Sequence, residues 1–337
     1  MTPSLPLTLA PMAGVTDKAF RYMCRKHGAD RLVTEMVSAK AVCFGDEKTA
    51  LLARIDDGER PCSLQLFGSE PDIMARAAVI CAESFSPDGI DINMGCPAPK
   101  IVKNGDGSAV MKSPSLAYEI VANMREALDR GGFTNMPLTV KMRSGFDSSH
   151  LNAVEVALMC EKGGASGVTV HGRTREQMYS PPVDYGIIRD VKSALSIPVT
   201  ANGNIFSAKD AIFVRDYTGC DGLMIGRGSL GCPFLFSEIK AALSGKEAPV
   251  MTPEKWYSEV CEHMERLISD KGDEKGSLEA RKHVSWYIRG IPGAAELRRR
   301  VNLAKSLGEI LEIVGEAAKN FSERESMPQD FHVGNVC

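Results

Sequence analysis

The feature that most constrains the fold is a repeated alternation between short apolar runs and longer amphipathic stretches over residues 7–230. Short apolar runs bounded by Gly, Pro or Asn are typical of buried parallel strands. Eight such runs occur, at Leu7–Ala10, Leu32–Glu35, Cys62–Phe67, Gly89–Asn93, Leu138–Met142, Gly167–His171, Pro198–Ala201 and Gly222–Ile225. Stretches of helical periodicity separate them, for example Pro71–Ser84, Pro114–Arg130, Ala153–Lys162, Tyr185–Ala194 and Ala208–Tyr217. This pattern predicts an α/β fold of the (β/α)8 TIM-barrel type.

The main competing fold is a doubly wound open sheet, which also alternates strands and helices. Its usual marker is a Gly-rich G-x-G-x-x-G turn after the first strand. Here the first predicted strand runs into Ala-Pro-Met-Ala-Gly at 10–14, which does not fit that turn. The chain length of 337 residues also suits one barrel with a modest additional domain. The barrel is therefore the favoured fold.

The strand pattern ends at Ser244–Pro253, a segment rich in Gly, Ser, Pro and charge. Beyond it, apolar residues recur at helical spacing and indicate three helices. The first is marked by Trp256, Val260, Met264 and Leu267, the second by Val284, Tyr287, Ile288 and Ile291, and the third by Leu297, Val301, Ala304, Leu311 and Val314. We predict a barrel at 1–243, a linker at 244–253, a C-terminal all-helical domain at 254–320 and a flexible tail at 321–337.

Cysteine use and the absence of targeting segments bear on the compartment. The ten cysteines include no C-x-x-C pair, which argues against a structural zinc site and for a reducing environment. The N-terminal segment has no basic region followed by a long apolar region, so we expect no signal peptide. No apolar stretch of about 20 residues is present for a membrane span. A cytoplasmic protein that does not bind membranes is expected.

The candidate active site of a barrel lies at the carboxyl ends of its strands. Residues there are mainly polar, cationic or glycine: Pro11, Met12 and Ala13 after the first strand, Gln65 near the end of the third, Asn93, Gly95, Cys96 and Pro97 after the fourth, Lys141 and Arg143 at the end of the fifth, His171 and Arg173 after the sixth, Asn202, Gly203 and Asn204 after the seventh, and Gly226, Arg227 and Gly228 after the eighth. This set has neither a metal-ligating cluster nor the paired carboxylates of a glycosidase. No metal is expected.

Glycines after the seventh and eighth strands indicate a phosphate-bearing ligand, because they let backbone N–H groups approach phosphate oxygens. Arg227 would add positive charge. Lys141 and His171 should lie near the barrel axis, where a cation would stabilise the negative N1–C2 region of a reduced flavin. Gln65 could offer its amide to the ring edge. The alternative for Lys141 is a simple ion pair with a neighbouring carboxylate.

Cys96 lies in Asn-Met-Gly-Cys-Pro, directly after the fourth predicted strand. A cysteine at this point can act as a nucleophile or as an acid that donates a proton to carbon. The alternative is a buried and inert thiol, which is the usual state of a free cysteine. We favour a chemical role for Cys96, whereas Cys24, Cys43, Cys81, Cys160 and Cys261 are expected to be structural.

Several motifs together resemble the tRNA dihydrouridine synthases, and the bacterial B-type branch in particular. The similar segments are LAPMAGVTDKAFR at 9–21, TEMVSAKA at 34–41, QLFG at 65–68, GIDINMGCPAPKIVKNGDGSAVM at 89–111, VKMRSG at 140–145, VTVHGRTREQMY at 168–179, PVTANGNI at 198–205, DGLMIGRGSLGCPFLF at 221–236 and RKHVSWYIRGIPGAAELR at 281–298. The resemblance covers most of the chain to about residue 315. The combination is specific, whereas each motif alone would be weak.

The resemblance implies an FMN-dependent reductase that converts particular tRNA uridines to dihydrouridine, with NADPH as reductant. The implied FMN-binding residues are Pro11, Met12, Ala13, Gln65, Lys141, His171, Asn202, Gly203, Asn204, Gly226 and Arg227. Hydride would pass from reduced FMN to C6 of uracil, and Cys96 would protonate C5. Asn93, Arg143 and Arg173 would contact the uracil after it leaves the base stack. The family usually has Asp at the position of Asn204, so a role for that carboxylate is in question here.

The C-terminal region has a local charge that suits RNA, although the whole chain carries a net charge of −3. Between 277 and 306 there are seven basic and two acidic residues. Basic side chains on one face contact phosphates without reading base sequence. We expect Arg281, Lys282 and Arg298 to contact the tRNA, although an ordinary solvated surface would have the same composition. A monomer is expected, and the sequence does not fix which uridine is modified.

Three other functions stay open at this point. A flavin barrel reductase of a small molecule would use the same cofactor residues but would leave the basic helical region without a role. A non-catalytic RNA-binding scaffold would leave Cys96, Lys141 and His171 without a role. A different flavin-dependent modification of RNA, such as carbon transfer, would use the same scaffold and differ only in its product.

Overall fold

The computed structural model describes residues 5–180 and 182–321. This part of the chain contains nine parallel strands: β1 (Leu7–Leu9), β2 (Leu32–Val33), β3 (Val37–Ser38), β4 (Cys62–Phe67), β5 (Gly89–Met94), β6 (Leu138–Arg143), β7 (Gly167–His171), β8 (Val199–Asn202) and β9 (Gly222–Ile225). Their order is β1-β9-β8-β7-β6-β5-β4-β2, and β3 also pairs with β4. A parallel bridge between Thr8 and Arg31 joins the two ends of this series. The predicted barrel is therefore confirmed.

The second barrel strand is interrupted, whereas the sequence predicts one run over Leu32–Glu35. Thr34 still bonds to the neighbouring strand, because its N–H donates to the Ser63 carbonyl at 2.9 Å. Its hydroxyl accepts a hydrogen bond from the Gln65 N–H at 3.1 Å and donates to the Glu35 carbonyl at 2.9 Å. Side-chain hydrogen bonds thus replace part of the strand ladder here, and the chain turns before pairing resumes at Val37.

Alternation along the strands separates the core from the barrel interior. On β4, β5 and β6 the apolar residues face the surrounding helices and form the main hydrophobic cluster, which includes Leu64, Leu66, Ile90, Ile92, Val140 and Met142. The intervening residues are polar. Gln65 pairs in register with Asp91, and Asn93 pairs with Lys141. Because side chains alternate across a strand, these polar groups share the inner face of the barrel.

Fourteen α-helices lie within the described residues: α1 (Lys18–Lys26), α2 (Ala39–Cys43), α3 (Glu47–Ala53), α4 (Pro71–Phe85), α5 (Pro99–Lys103), α6 (Pro114–Arg130), α7 (Ala153–Lys162), α8 (Tyr185–Ala194), α9 (Ala208–Thr218), α10 (Leu235–Leu243), α11 (Pro253–Lys271), α12 (Asp273–Tyr287), α13 (Ala294–Leu303) and α14 (Leu307–Phe321). The five helices predicted in the barrel region are confirmed to within a residue or two at their ends. None of the helices described is long and apolar enough to cross a membrane.

The prediction of a single third C-terminal helix is wrong, because the structure has α13 and α14 in its place. The break at 304–306 has a local cause. Ser306 accepts a hydrogen bond from the Glu309 N–H at 3.3 Å, and the Glu309 carboxylate accepts one from the Lys305 N–H at 2.9 Å. Ser-x-x-Glu is a capping pattern that starts a new helix. The predicted tail, 321–337, lies outside the described residues except for Phe321, the last residue of α14.

The four C-terminal helices have a hydrophobic cluster of their own, in which Trp256, Val284 and Val314 are fully buried. Two residues from the barrel part of the chain, Ala19 on α1 and Phe234, join this cluster. The helices therefore pack directly against α1. The predicted domain boundaries themselves stay a prediction.

Candidate active site

A cavity of about 570 Å³ opens at the carboxyl ends of the barrel strands. This volume lies within the range of small-molecule and cofactor sites. The eleven residues predicted for FMN all line it: Pro11, Met12, Ala13, Gln65, Lys141, His171, Asn202, Gly203, Asn204, Gly226 and Arg227. Cys96, Asn93 and Arg143 line the same cavity. The structure thus brings together residues from seven strand ends, which is the position expected for a barrel active site.

A chain of hydrogen bonds crosses the floor of this cavity. The buried Asp91 carboxylate accepts hydrogen bonds from the Thr139 hydroxyl at 2.6 Å and from Gln65 Nε2 at 2.7 Å. Gln65 Oε1 then accepts a hydrogen bond from Asn93 Nδ2 at 2.8 Å. Because Asp91 only accepts when ionised, it fixes which way the Gln65 amide points, and Gln65 in turn fixes the Asn93 amide.

The same series of hydrogen bonds continues into the loop that carries Cys96. Asn93 Oδ1 accepts hydrogen bonds from the Gly95 N–H at 3.1 Å and the Cys96 N–H at 2.8 Å. On the other side of the loop, the Ser108 hydroxyl donates to the Cys96 carbonyl at 2.9 Å. The backbone on both sides of the thiol is thereby held, and its position depends on the orientation of the Asn93 amide.

Lys141 lines the cavity from β6, in register with Asn93 on β5. Burial and the charge of Arg143 lower the pKa of Lys141 to about 8, while the charge of Asp91 opposes that shift. Burial also raises the pKa of Asp91 to about 6. The Asp91 oxygens accept hydrogen bonds from Gln65 and Thr139, and its charge acts on Lys141 without a direct ion pair between the two side chains. The ammonium therefore faces the cavity, and the simple ion-pair alternative for Lys141 is not favoured.

The loops after β8 and β9 form a cationic corner of the cavity. Gly203 has a φ of +125°, and a Cβ there would lie 2.9 Å from Val183 and 3.2 Å from the His171 ring, so no larger residue fits. Asn204 follows with a φ of +49°. Its Oδ1 accepts hydrogen bonds from Arg173 at 3.1 Å and from Arg227 at 3.2 Å. The corner combines close backbone approach with two guanidinium groups.

Asn204 stands where the family usually has Asp, and this difference changes the charge of the cationic corner more than its shape. Asn and Asp both tolerate the left-handed backbone conformation found there, and both place an oxygen where the two arginines donate. Without a carboxylate, the corner keeps a higher positive charge. Burial and the neighbouring charge of Arg227 lower the pKa of Arg173 to about 10. An anion bound at this corner would offset that repulsion.

His171 adds a neutral polar group to the cavity wall. Burial and the charges of Arg143 and Lys141 lower the pKa of His171 well below its ordinary value, so the ring is uncharged near neutral pH. Its Nδ1 is buried and has no hydrogen-bond partner among the described residues. A ligand in the cavity is the simplest source of a partner for that nitrogen.

Among the cysteines of the described ranges, Cys96 is the one that lines the cavity. Burial raises the pKa of the Cys96 thiol, against the hydrogen bond from the Ala98 N–H. The thiol is therefore protonated near neutral pH. By contrast, burial raises the pKa of Cys81 and of Cys160 to about 12, and neither residue lines the cavity. The structural role expected for those two fits their burial.

Four of the predicted substrate residues do not line the cavity. Arg173 is buried beneath the cationic corner, where it bonds to Asn204. Lys282 donates to the Gly14 carbonyl of the β1–α1 loop. Arg298 and Arg281 lie in the helical region, away from the cavity wall. Contact of these residues with a substrate stays a prediction.

Three aromatic residues that line the cavity were not predicted from the sequence: Tyr179, Phe206 and Trp286. Arg227 stacks over the Tyr179 ring with its guanidinium carbon 4.5 Å from the centroid. Trp286 comes from α12, beyond the barrel, and lines the cavity from that side. Helical periodicity could not reveal Trp286, because its place depends on how the helices pack on the barrel.

Three buried residues between the barrel and the helices could in principle ligate a metal: Asp17, His263 and His283 have ligand atoms within 4.8 Å of one another. However, the Lys271 ammonium lies 2.7 Å from the Asp17 carboxylate and already supplies a positive charge. Although burial acts in the opposite direction, the hydrogen bond and charge of His283 hold the pKa of Asp17 well below its usual range. We interpret the cluster as an ionic contact between α1, α11 and α12, and the absence of a metal stays a prediction.

Comparison with known proteins identifies the family. The sequence model of the family described as Dihydrouridine synthase (Dus) matches residues 8–323. The chain belongs to the dihydrouridine synthase family. It is 40% identical over 297 residues to tRNA-dihydrouridine synthase B of Pseudomonas aeruginosa, covering 88% of this chain and 87% of that protein. It is 41% identical over 284 residues to tRNA-dihydrouridine synthase B of Shewanella oneidensis, covering 84% and 86% respectively.

Membership of the dihydrouridine synthase family confirms the resemblance found in the sequence. Solved structures add support for the fold alone. A complex of 2-naphthoyl-CoA reductase matches with a TM-score of 0.52 at 12% identity, over 71% of this chain and 50% of that one. At this identity the likeness shows a shared barrel and says nothing of a shared substrate.

Proposed function

We propose that this protein reduces specific uridines of tRNA to dihydrouridine, using FMN as its cofactor and NADPH as the reductant. The observation that carries the proposal is the single cavity that unites Cys96 and Lys141 with a cationic, glycine-lined corner. The two relatives described above are tRNA-dihydrouridine synthases, and each aligns with more than four-fifths of this chain. The substrate, the cofactor and the reductant are all part of the proposal.

The residues of the cavity fit FMN in three respects. The corner at Gly203 and Arg227 offers backbone access and positive charge for a phosphate. The Lys141 ammonium, with a pKa of about 8, provides a cation at the cavity floor for the negative edge of a flavin ring. The buried His171 Nδ1 has no hydrogen-bond partner in the described chain, and a ligand would supply one.

In this arrangement each side chain has a distinct task. Arg227 and the loops after β8 and β9 would hold the phosphate, whereas Gln65 and Lys141 would face the ring edge. When bound, FMN would supply the hydride that C6 of uracil accepts, and NADPH would restore it. Asn93 would position the Cys96 loop through its two backbone hydrogen bonds.

Cys96 would donate the proton that completes the reaction. Hydride addition at C6 leaves an electron pair at C5, and transfer of the thiol proton to C5 forms the new C–H bond. The cysteine becomes a thiolate and regains a proton from water before the next turnover. A raised thiol pKa suits this role, because the group is protonated at neutral pH and ready to act as an acid.

The RNA would approach from the side of the cavity where α12 lies. A uracil inside a helical stem cannot reach the barrel mouth, so the target base must leave its stack. Basic side chains of the helical region, Arg298 and the neighbouring Arg289 among them, would contact phosphates. We further propose that the helical domain begins near residue 254 and that the protein acts in the cytoplasm as a monomer.

The experiment that tests this function combines the visible spectrum of the purified protein with mass analysis of tRNA from a strain lacking its gene. We expect a yellow protein and the loss, at a defined position, of a uridine that carries two additional hydrogens. A yellow protein with unchanged dihydrouridine would instead favour a small molecule or another RNA modification as the target. A colourless protein that binds tRNA would favour a non-catalytic scaffold.

A further inference from the structure

Trp286 is a half-buried aromatic residue that reaches the cavity from outside the barrel. Among the described residues that line the cavity, Trp286 is the one that follows residue 253 in the chain. An indole that lines a ligand-sized cavity without being buried in the core offers a flat apolar face to a ligand.

The backbone of Trp286 is held by contacts on α12. At Gly231, which has a φ of +68°, a Cβ would lie 2.4 Å from the carbonyl carbon of Trp286, so glycine is required for this approach. One turn earlier, the Lys282 ammonium donates to the Gly14 carbonyl, and His283 lies 3.7 Å from the Asp17 carboxylate. Because residues three and four apart share a helix face, these contacts hold Trp286 toward the cavity.

The surroundings of the ring favour a nucleobase over an apolar partner. The Lys282 ammonium lies 5.9 Å from the centroid of the Trp286 ring, and the His283 ring meets it edge-on at 5.2 Å. The stretch of chain from 277 to 306 has five more basic than acidic residues. An aromatic face next to positive charge is the usual combination in proteins that bind single-stranded nucleic acid.

We propose that Trp286 is a stacking platform for a base of the RNA substrate, either the extruded uracil or the nucleotide next to it. This inference rests on the proposed function and adds a residue that determines substrate affinity. The cationic corner at Arg227 is formed by loops of the barrel, whereas Trp286 comes from the C-terminal helices. A base entering from the helical side would therefore meet Trp286 at the cavity wall.

The test compares Trp286→Leu with Trp286→Phe in the full-length protein carrying its native flavin. Loss of a stacking face should raise the tRNA Kd of Trp286→Leu by about tenfold to a hundredfold, since one base–aromatic stack contributes about 1–3 kcal/mol. Trp286→Phe retains a ring and should stay within about threefold of the wild type. Flavin content and the rate of flavin reduction by NADPH should be unchanged in both variants. Phe213→Leu, which removes an exposed aromatic ring from α9, is the matched control and should leave tRNA affinity unchanged.

Fluorescence gives a second measurement that does not depend on turnover. The chain has two tryptophans, and Trp256 is fully buried in the helical core. Quenching of tryptophan emission on addition of tRNA should therefore come from Trp286 and be absent in Trp286→Phe. Equal tRNA affinity of Trp286→Leu and wild type would overturn the stacking role, as would loss of flavin in place of tRNA. If the wild type does not reduce tRNA uridines, the proposed function fails and this inference fails with it.

Discussion

Replacement of Asp91 by Asn tests whether this carboxylate keeps Lys141 charged. Asp91 and Lys141 lie on the neighbouring strands β5 and β6. Lys141 is opposite Asn93, and Asp91 is two residues before Asn93, so Asp91 and Lys141 are diagonal neighbours separated by about 7 Å. At an effective dielectric constant of about 20, unit charges at this distance interact by about 2 kcal/mol, or between one and two pK units. The pKa of Asp91 is about 6, so it is ionised where Lys141 titrates.

The substitution should leave the hydrogen bonds in place while removing the charge. Asn Oδ1 can still accept from Gln65, and the Thr139 hydroxyl can reverse and accept from Asn Nδ2. The pKa of Lys141, about 8 in the wild type, should therefore fall toward neutrality. If the protonated ammonium is required for uracil reduction, the alkaline decline in rate should move to lower pH by the same one to two units.

The assay is single-turnover oxidation of the pre-reduced enzyme by tRNA, followed by flavin absorbance over a range of pH. In Lys141→Arg the decline that begins near the Lys141 pKa of about 8 should disappear, because a guanidinium stays charged, and only the decline at higher pH from ionisation of the Cys96 thiol should remain. Asp88→Asn is a matched control, since Asp88 bonds to Arg60 and the Cys62 N–H at the opposite end of the barrel. An alkaline limb that is unchanged in Asp91→Asn would refute the electrostatic role that we assign to Asp91.

Three further predictions follow from other parts of the structure. Cys96→Ala should retain its flavin and lose about a hundredfold to ten-thousandfold in single-turnover rate, and full activity would exclude Cys96 as the acid. Burial lowers the pKa of His283 below its ordinary value of 6.5, so on acidification the unfolded state binds a proton before the folded state does, and the stability of the protein should fall as the pH drops below 6.5. In His283→Gln the Tm should decline less steeply over this pH range, and a decline as steep as that of the wild type would contradict the prediction. Arg298→Ser should weaken tRNA binding and reduce its salt slope by about one. Arg299→Ser is the comparison for that variant, because Arg299 is paired with Glu296 at 2.7 Å and should have less effect.

The fold could be predicted from sequence because a parallel barrel repeats one local unit. Each barrel strand is visible in the sequence as a short, mainly apolar segment between turn residues. Its apolar side chains face the helices outside the barrel, and its polar side chains face the barrel interior. The interruption at Thr34–Met36 was not predictable, since it depends on donors that are distant in sequence: the Gln65 N–H donates to the Thr34 hydroxyl and the Gly14 N–H donates to the Glu35 carboxylate. The start of α14 was predictable, because Ser306 and Glu309 form a capping pattern that is visible in the sequence even though helical periodicity continues across it.

The candidate site likewise contains residues that could be predicted from the sequence and residues that could not. Apart from Arg173, the residues named directly after strands line the cavity, because strand ends converge in any barrel and this convergence needs no knowledge of side-chain contacts. The role of Asp91 was missed, since a carboxylate in the middle of a strand gives no local signal of the amide network it anchors. Trp286 was missed because no local pattern reports the docking of α12 on Gly231.

The contacts of α12 with the β1–α1 loop connect the part of the cavity wall formed by the barrel loops with the part formed by Trp286. The loop that binds Lys282 through Gly14 continues from Pro11–Ala13, which line the cavity. Removal of the Asp17 carboxylate, as in Asp17→Ala, should therefore loosen the contact and disturb both the Pro11–Ala13 part of the cavity wall and Trp286. The affinities for flavin and for tRNA should then fall in parallel. Substitution of Trp286 alone should affect tRNA affinity only. Since the two perturbations differ in their effect on flavin, a comparison of both variants separates a loss of docking from a loss of base stacking.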